Sequence, residues 1–310
     1  MRCRILVCGN SGVDLAEKIG RLPAPNETLP SDGTYSFAPG GSGALSAVAF
    51  ARIGGDCILC TKMGSDTNSQ KLMRMFEKEK IDARFAVCDR KYMTSFSTTI
   101  IEDGTKPRTI VFEGASPYLT VAEIESAMTT YPDALYIQMN LPEEDVIEAV
   151  RMANENGTPV FIDAEGASSD FPLGKLGEIE VFSPNEDEAE ALCGIRPINA
   201  DTSLRACIKL ASMIKTKYIV LKLGERGSYV YDGVYFHIIP HLSVSVADTL
   251  GAGDVYTAAL TYCYLQNKDI VEAGRFANYA ASLSVTKAGG YSSIPTLEQI
   301  KAFSQKFADK

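Results

Sequence analysis

From residue 134 onward the sequence keeps a rhythm that few architectures satisfy, with short β-rich runs separated by helical stretches. Residues 134–139 (ALYIQM) read as a strand. Apolar Val146, Ile147, Val150 and Ala153 then recur at i, i+1, i+4 and i+7, one face of a helix, before Gly157 and the strand-like run PVFID. Further on, 218–223 (YIVLKL), GSYVYDG and SVSVAD read as strands, with Asp232-Gly233 as a hairpin turn. Two helical segments, 252–265 and 270–288, close the chain. Neighbouring parallel strands need a long crossover, usually a helix, so repeated strand–helix units predict a mostly parallel sheet covered by helices on both faces. A chain of 310 residues that is 45% hydrophobic can fill such an α/β/α core and still leave material for a small appendage.

Two stretches break the rhythm. Residues 11–38 are rich in Pro, Gly and Asn and lack helical signals, while 92–113 alternate in period two around Glu102-Asp103-Gly104. Both read as strands that leave the main body and rejoin it near Gly40 and Gly114. The predicted organisation is an α/β core built from 1–10, 39–91 and 114–310, with a small β-sheet lid from 11–38 and 92–113.

The net charge of −9 argues against a nucleic-acid groove or an anionic membrane surface as partner. A chain this acidic that binds phosphate must do so with backbone N–H groups, a metal and a few local cations. The N-terminal run MRCRILVCGN breaks at Gly9 and reads as a first strand, not a secretion signal, and no stretch approaches the roughly 18 apolar residues of a membrane span. The eight cysteines are scattered, mostly in apolar runs, as expected for reduced core thiols in a cytoplasmic protein. Cys57-x-x-Cys60 lies in a strand-like run with no second pair, so packing is its expected role. His237 and His241 have Pro240 between them and no third ligand nearby, which argues against a metal there.

The densest chemical signal is Asp248-Thr-Leu-Gly251-Ala252-Gly253-Asp254, just before the helical run VYTAALTYCYL. A Gly-Ala-Gly turn opening a helix exposes N–H groups with the positive end of the helix dipole behind them, an anion hole for a transferring phosphoryl group. Asp254, in the first turn, is expected to stay ionised there and to accept a proton. The segment resembles the C-terminal Asp-Thr-x-Gly-Ala-Gly-Asp motif of the ribokinase family of sugar kinases, also called the pfkB family. The family's Gly-Gly helix matches Gly40-Gly41-Ser-Gly-Ala-Leu-Ser-Ala-Val-Ala-Phe-Ala-Arg-Ile-Gly54. Its Asn-x-x-Glu matches Asn185–Glu188, and its nucleotide-side glycine turn matches Gly224-Glu-Arg-Gly227.

The resemblance spans essentially the whole chain and implies a ribokinase-like fold, ATP with Mg²⁺, and a sugar hydroxymethyl group as acceptor. It makes Asp254 the base and Gly251, Ala252 and Gly253 the anion hole. Asp14, Gly40, Gly41 and Asn140 become acceptor-side residues. Asn185 and Glu188, which otherwise read as a capping pair, fall on the nucleotide side with Gly224, Gly227 and Asn278; Lys222, on the strand before Gly224, is placed to reach nucleotide phosphate or to be an edge residue. Asp248, Leu250, Ser284, Lys287, Gly289 and Ser293 would enclose a monovalent cation such as K⁺, mostly through carbonyls. A homodimer through the lid is also implied.

Three acceptor positions depart from the family pattern. Leu45 stands where an Asn bonds the sugar, Asn140 where ribokinase has Glu, and Gly12 where it has Asn. Each lost contact typically costs about 1–3 kcal/mol, so poor turnover of free ribose is expected, and fructose or its phosphate, a keto-deoxy sugar acid and a nucleoside remain alternative acceptors. An inactive regulatory relative would be expected to lose Asp254 or the Gly-Ala-Gly turn, and both are present. The Gly-rich signatures of a Rossmann dehydrogenase and of a Walker-type ATPase are absent.

Overall fold

The computed structural model describes residues 3–30, 33–102 and 108–308, so the expected turn at Asp103-Gly104 lies outside the described residues. The chain begins with β1 (Arg4–Cys8), then leaves the body as β2 (Gly12–Ile19) and β3 (Tyr35–Gly40). It returns through α1 (Ser42–Arg52), β4 (Asp56–Gly64), α2 (Thr67–Lys78) and β5 (Asp82–Asp89). A second excursion, β6 (Ser95–Glu102) and β7 (Arg108–Phe112), ends at α3 (Val121–Met128) and β8 (Ala134–Gln138). Strand–helix units follow: α4 (Glu143–Glu155), β9 (Val160–Asp163), β10 (Ile179–Ser183), α5 (Glu186–Cys193), α6 (Ala200–Met213) and β11 (Thr216–Lys222). The chain finishes with the hairpin β12 (Ser228–Tyr231) and β13 (Phe236–Ile239), then α7 (Ala252–Asn267), α8 (Ile270–Ser284), α9 (Gly290–Ser293) and α10 (Leu297–Ala308).

The main sheet has nine strands in the order β13-β12-β11-β10-β9-β8-β1-β4-β5, parallel except for the β12–β13 hairpin. Its central strands are apolar on both faces, because each face carries its own core. Ile5, Val7, Tyr136, Phe161 and Val181 pack on one side with α1 and α7, and Leu6, Ile137, Ile162 and Phe182 on the other with α4 and α6. Cys57 and Cys60 lie buried in β4.

The excursions form a separate four-stranded sheet, β3-β2-β6-β7. Period-two alternation gives it two unlike faces. Asp14, Ser97, Thr109 and Val111 line a cleft against the main body. Phe37, Ile110 and Phe112 lie on the opposite pleat and are exposed.

Two expectations need correction. SVSVAD is not a strand; with the β12–β13 hairpin completed, the segment instead sends the Ala247 N–H 2.8 Å to the Val285 carbonyl at the end of α8. The chain also does not close on two helices, since α9 and α10 follow α8, which stops at Ser284. Among the described residues no helix is long and apolar enough to cross a membrane.

Candidate active site

Open α/β sheets place ligands beyond the carboxyl ends of their strands, and the chemistry of this chain collects there. Asn10 follows β1, Gln138 ends β8, Asp163 ends β9, Asn185 follows β10 and Lys222 ends β11. These ends, the N-terminal turn of α7 and the lid enclose a cleft of about 1130 Å³. Of the residues singled out in the sequence, Asp14, Gly41, Asn185, Glu188, Lys222, Gly224, Gly227, Leu250, Gly251, Ala252, Gly253, Asp254 and Asn278 line it. Gly40 and Asn140 do not.

Asp254 is buried in the first turn of α7, after Gly251 at φ 76°. Gln138 Nε2 donates to its Oδ1 at 3.2 Å, and Ser46 Oγ to the same oxygen at 3.5 Å. The helix dipole was expected to dominate, but burial pushes this carboxyl well up, reinforced by the Glu165 and Asp163 carboxylates and opposed by Lys222. A carboxylate whose proton affinity is raised is a better proton acceptor. Within the expected anion hole, Ala252 N–H already donates 3.2 Å to the Thr249 carbonyl.

Lys222 Nζ donates 2.7 Å to Asp163 Oδ1 and 3.3 Å to Thr257 Oγ1. A side chain on Gly253 would lie 3.8 Å from this ammonium, so Lys222 faces the turn that opens α7. Burial opposes its charge, but Asp163 and Glu188 outweigh that and hold it ionised. Asn185 and Glu188 form a reciprocal cap on α5: the Glu188 N–H donates to Asn185 Oδ1 at 2.9 Å, and the Asn185 N–H to Glu188 Oε2 at 2.7 Å. The pair caps its helix and lines the cleft at once. Burial, opposed by Lys222, pushes the Glu188 carboxyl up to about 7. Asn278 is buried and donates 2.5 Å to the Pro240 carbonyl, joining α8 to the segment after β13.

On the lid side, Ser97 Oγ donates 2.6 Å to Asp14 Oδ1, and burial raises the Asp14 carboxyl against that bond. The expected close approach of Gly40 to the acceptor has a different explanation: a Cβ there would fall 1.8 Å from Asp14 Oδ2, so the glycine makes room for the carboxylate. Leu45 is buried on the cleft wall, its Cδ1 3.2 Å from where a Gly251 side chain would begin. Between these walls stands Glu165, bonded by the Ser42 hydroxyl. Burial and Asp163 raise its carboxyl, with Ser42 and Lys222 opposing. Glu165, Ser42, Asp163 and Asn10 were not singled out in the sequence. The available signal was their position, Asp163 closing a strand of the sheet, Asn10 and Glu165 lying just beyond strands, and Ser42 opening α1.

Behind the α7 turn, Asp248 joins two loops: its Oδ1 accepts the Leu250 N–H at 3.0 Å and its Oδ2 the Gly289 N–H at 2.8 Å. Ser284 and Ser293 are buried beside these loops, and Lys287 is exposed. The Gly289 carbonyl accepts the Ser293 N–H at 2.9 Å. The six residues expected around a monovalent cation therefore lie on segments that the structure joins.

Comparison with known proteins agrees with this geometry. The profile described as pfkB family carbohydrate kinase matches residues 4–297. A ribokinase of Haemophilus influenzae is 30% identical over 98% of this chain and 99% of its own length. A deoxyribokinase of Salmonella typhi is 25% identical over 96% of this chain and 98% of its own. Among solved structures, Arabidopsis thaliana ribokinase complexed with ribose and ATP superimposes with a TM-score of 0.87 at 23% identity, covering 98% of this chain and 99% of that one. The profile match across nearly the whole sequence, together with Asp254 at a helix-opening Gly-Ala-Gly turn in a strand-end cleft, shows that the chain belongs to the pfkB family of carbohydrate kinases.

Proposed function

We propose that this kinase moves the γ-phosphoryl group of ATP to the hydroxymethyl group of a neutral, ribose-like sugar. One observation carries the acceptor class. Asp14, Glu165 and Asp254 all line the cleft, while the one ammonium lining it among the described residues, Lys222, is already paired with Asp163. An acceptor carrying a carboxylate or phosphate would meet three carboxyl groups without a free cation among the described residues, which costs affinity by like-charge repulsion. Sugar acids and sugar phosphates are therefore disfavoured, and neutral polyols fit.

In this reading Asp254 takes the acceptor hydroxyl proton as that oxygen bonds the γ-phosphorus. The bond to the ADP oxygen breaks, and ADP carries away the electron pair. Lys222 and the N–H groups of the α7 turn, Gly251 and Gly253 foremost, stabilise the charge on the moving group. Asn185 and Glu188, capping a helix at the cleft wall, would hold the hydrated Mg²⁺ that neutralises nucleotide phosphates. The loops joined by Asp248 would hold a monovalent cation that stiffens the anion hole. Asp14 binds sugar hydroxyls. Leu45 leaves an apolar spot where an amide would bind one more, which supports poor use of D-ribose and a sugar lacking that hydroxyl. Asn140 is off the cleft wall, so acceptor choice falls to position 45 and its neighbours. The exposed apolar lid face supports a homodimer, and eight free thiols suit the cytoplasm.

The test is an ADP-release screen over neutral pentoses and hexoses, 2-deoxy-D-ribose, nucleosides, sugar phosphates and keto-deoxy sugar acids. Turnover is expected with neutral sugars, with kcat/KM for D-ribose at least about tenfold below the preferred one. Turnover confined to anionic sugars would sink the reading.

A further inference from the structure

The acceptor side of the cleft contains a carboxylate that neither the base, the nucleotide contacts nor the family motifs account for. Glu165 follows β9 in a tight turn closed by the Ala167 N–H donating 2.9 Å to the Ala164 carbonyl. Gly166 occupies the turn position that needs positive φ, at 79°, which leaves the Glu165 side chain directed into the cleft. The turn rests on its neighbour: a Cβ on Gly166 would lie 2.6 Å from the Asn140 Cα. Glu165 thus stands on the turn that packs against Asn140.

We infer that Glu165 binds the acceptor, taking sugar hydroxyl hydrogens from the core wall while Asp14 takes others from the lid wall. The inference rests on the neutral-sugar reading above. Three observations lead to it. Glu165 lies within hydrogen-bond reach of Asp254, so a hydroxyl placed for proton removal brings its sugar against Glu165. Among the described residues the Ser42 hydroxyl is the one neutral donor that bonds it, while an ionised carboxylate can accept about four hydrogen bonds. No ion pair among the described residues reaches it, although Asp163 and Asp254 stand beside it. A carboxylate in that setting is costly unless a ligand brings donors, and a polyol brings several.

The alternative is structural: Glu165 does no more than anchor Ser42 at the start of α1. Three variants separate the two roles. The wild type is first assayed to find its best neutral sugar, and KM for that sugar and for ATP is then measured in Glu165→Ala, Glu165→Gln and Ser42→Ala. Glu165→Ala is expected to raise the sugar KM at least about tenfold with the ATP KM within about twofold, and Glu165→Gln, which keeps the shape, to fall between. Ser42→Ala, which removes the anchor but not the carboxylate, should change the sugar KM less than about threefold. The acid limb of kcat/KM should also move to lower pH in Glu165→Gln. Asp254 loses one of its like-charged neighbours there, while Asp163, Lys222 and Tyr136 still face it. An unchanged sugar KM in Glu165→Ala and Glu165→Gln overturns the inference, as does a Ser42→Ala variant that reproduces the full rise. If the wild type phosphorylates no neutral sugar, the acceptor class itself fails and this assignment falls with it.

Discussion

Asp254 is held by neutral donors and crowded by like charges, and the two act on different properties. Gln138 and Ser46 aim the carboxylate; Glu165 and Asp163 raise its proton affinity. Asp254→Asn should leave the fold and nucleotide binding intact and lower kcat by about two to four orders of magnitude, measured by ADP release. The same substitution should stabilise the ligand-free protein. A carboxyl with a raised folded-state pKa gives up stability as pH climbs through that pKa, because the ionised form is disfavoured in the fold. A neutral amide escapes that loss, so thermal scans at pH 8 should show a Tm higher by about 2 °C, the gain shrinking toward pH 4. Equal Tm values at both pH values would mean that the donors already offset the repulsion.

Elements come together around the α7 turn through residues whose purpose motif spacing alone does not show. Arg52 ends α1, and its guanidinium donates to the Ile294 carbonyl at 2.7 Å, the Tyr291 carbonyl at 3.2 Å and Glu79 at 2.8 Å, while resting on the Tyr291 ring. The Arg of the Gly-Gly helix motif therefore clamps the segment around α9. Arg52→Lys lacks the planar fork and should cost about 2–3 kcal/mol, read as a lower Tm. Next to this clamp, the Asp248 junction predicts activity several-fold higher in K⁺ than in Na⁺ or Tris buffer; a flat response would mean that no cation stiffens the turn. The strand–helix rhythm made the parallel sheet and its two-sided core legible, and period two did the same for the lid. SVSVAD misled because alternation reports only which way side chains point. Whether a strand forms depends on a partner edge, and Ala247 finds the carbonyl of Val285 instead. The Gly-Ala-Gly turn that opens α7 was legible because its backbone geometry demands glycines at fixed spacing. Glu165 was not, because Ala164-Glu165-Gly166 resembles any surface turn until the fold places it beside Asp254.

At the scale of the whole molecule, the lid presents Asp14, Ser97 and Thr109 to the cleft and Phe37, Ile110 and Phe112 to solvent. Phe37, Ile110 and Phe112 lie on the outer pleat, and a second copy offering the same residues would bury both sets about a two-fold axis. The protein is expected to be a homodimer at micromolar concentration by light scattering, and Ile110→Asp should shift it toward monomer; a monomeric wild type would contradict this. Along β7 the residues alternate, so Thr109 and Val111 reach the cleft while Ile110 and Phe112 reach outward. In the expected dimer this one five-residue strand would belong to two equilibria at once, sugar capture and subunit association. Linkage makes their coupling mutual: whatever factor association adds to sugar affinity, bound sugar adds to association. Diluting the enzyme through its dissociation range should therefore shift its apparent hold on the sugar, turning protein concentration into a control on substrate saturation.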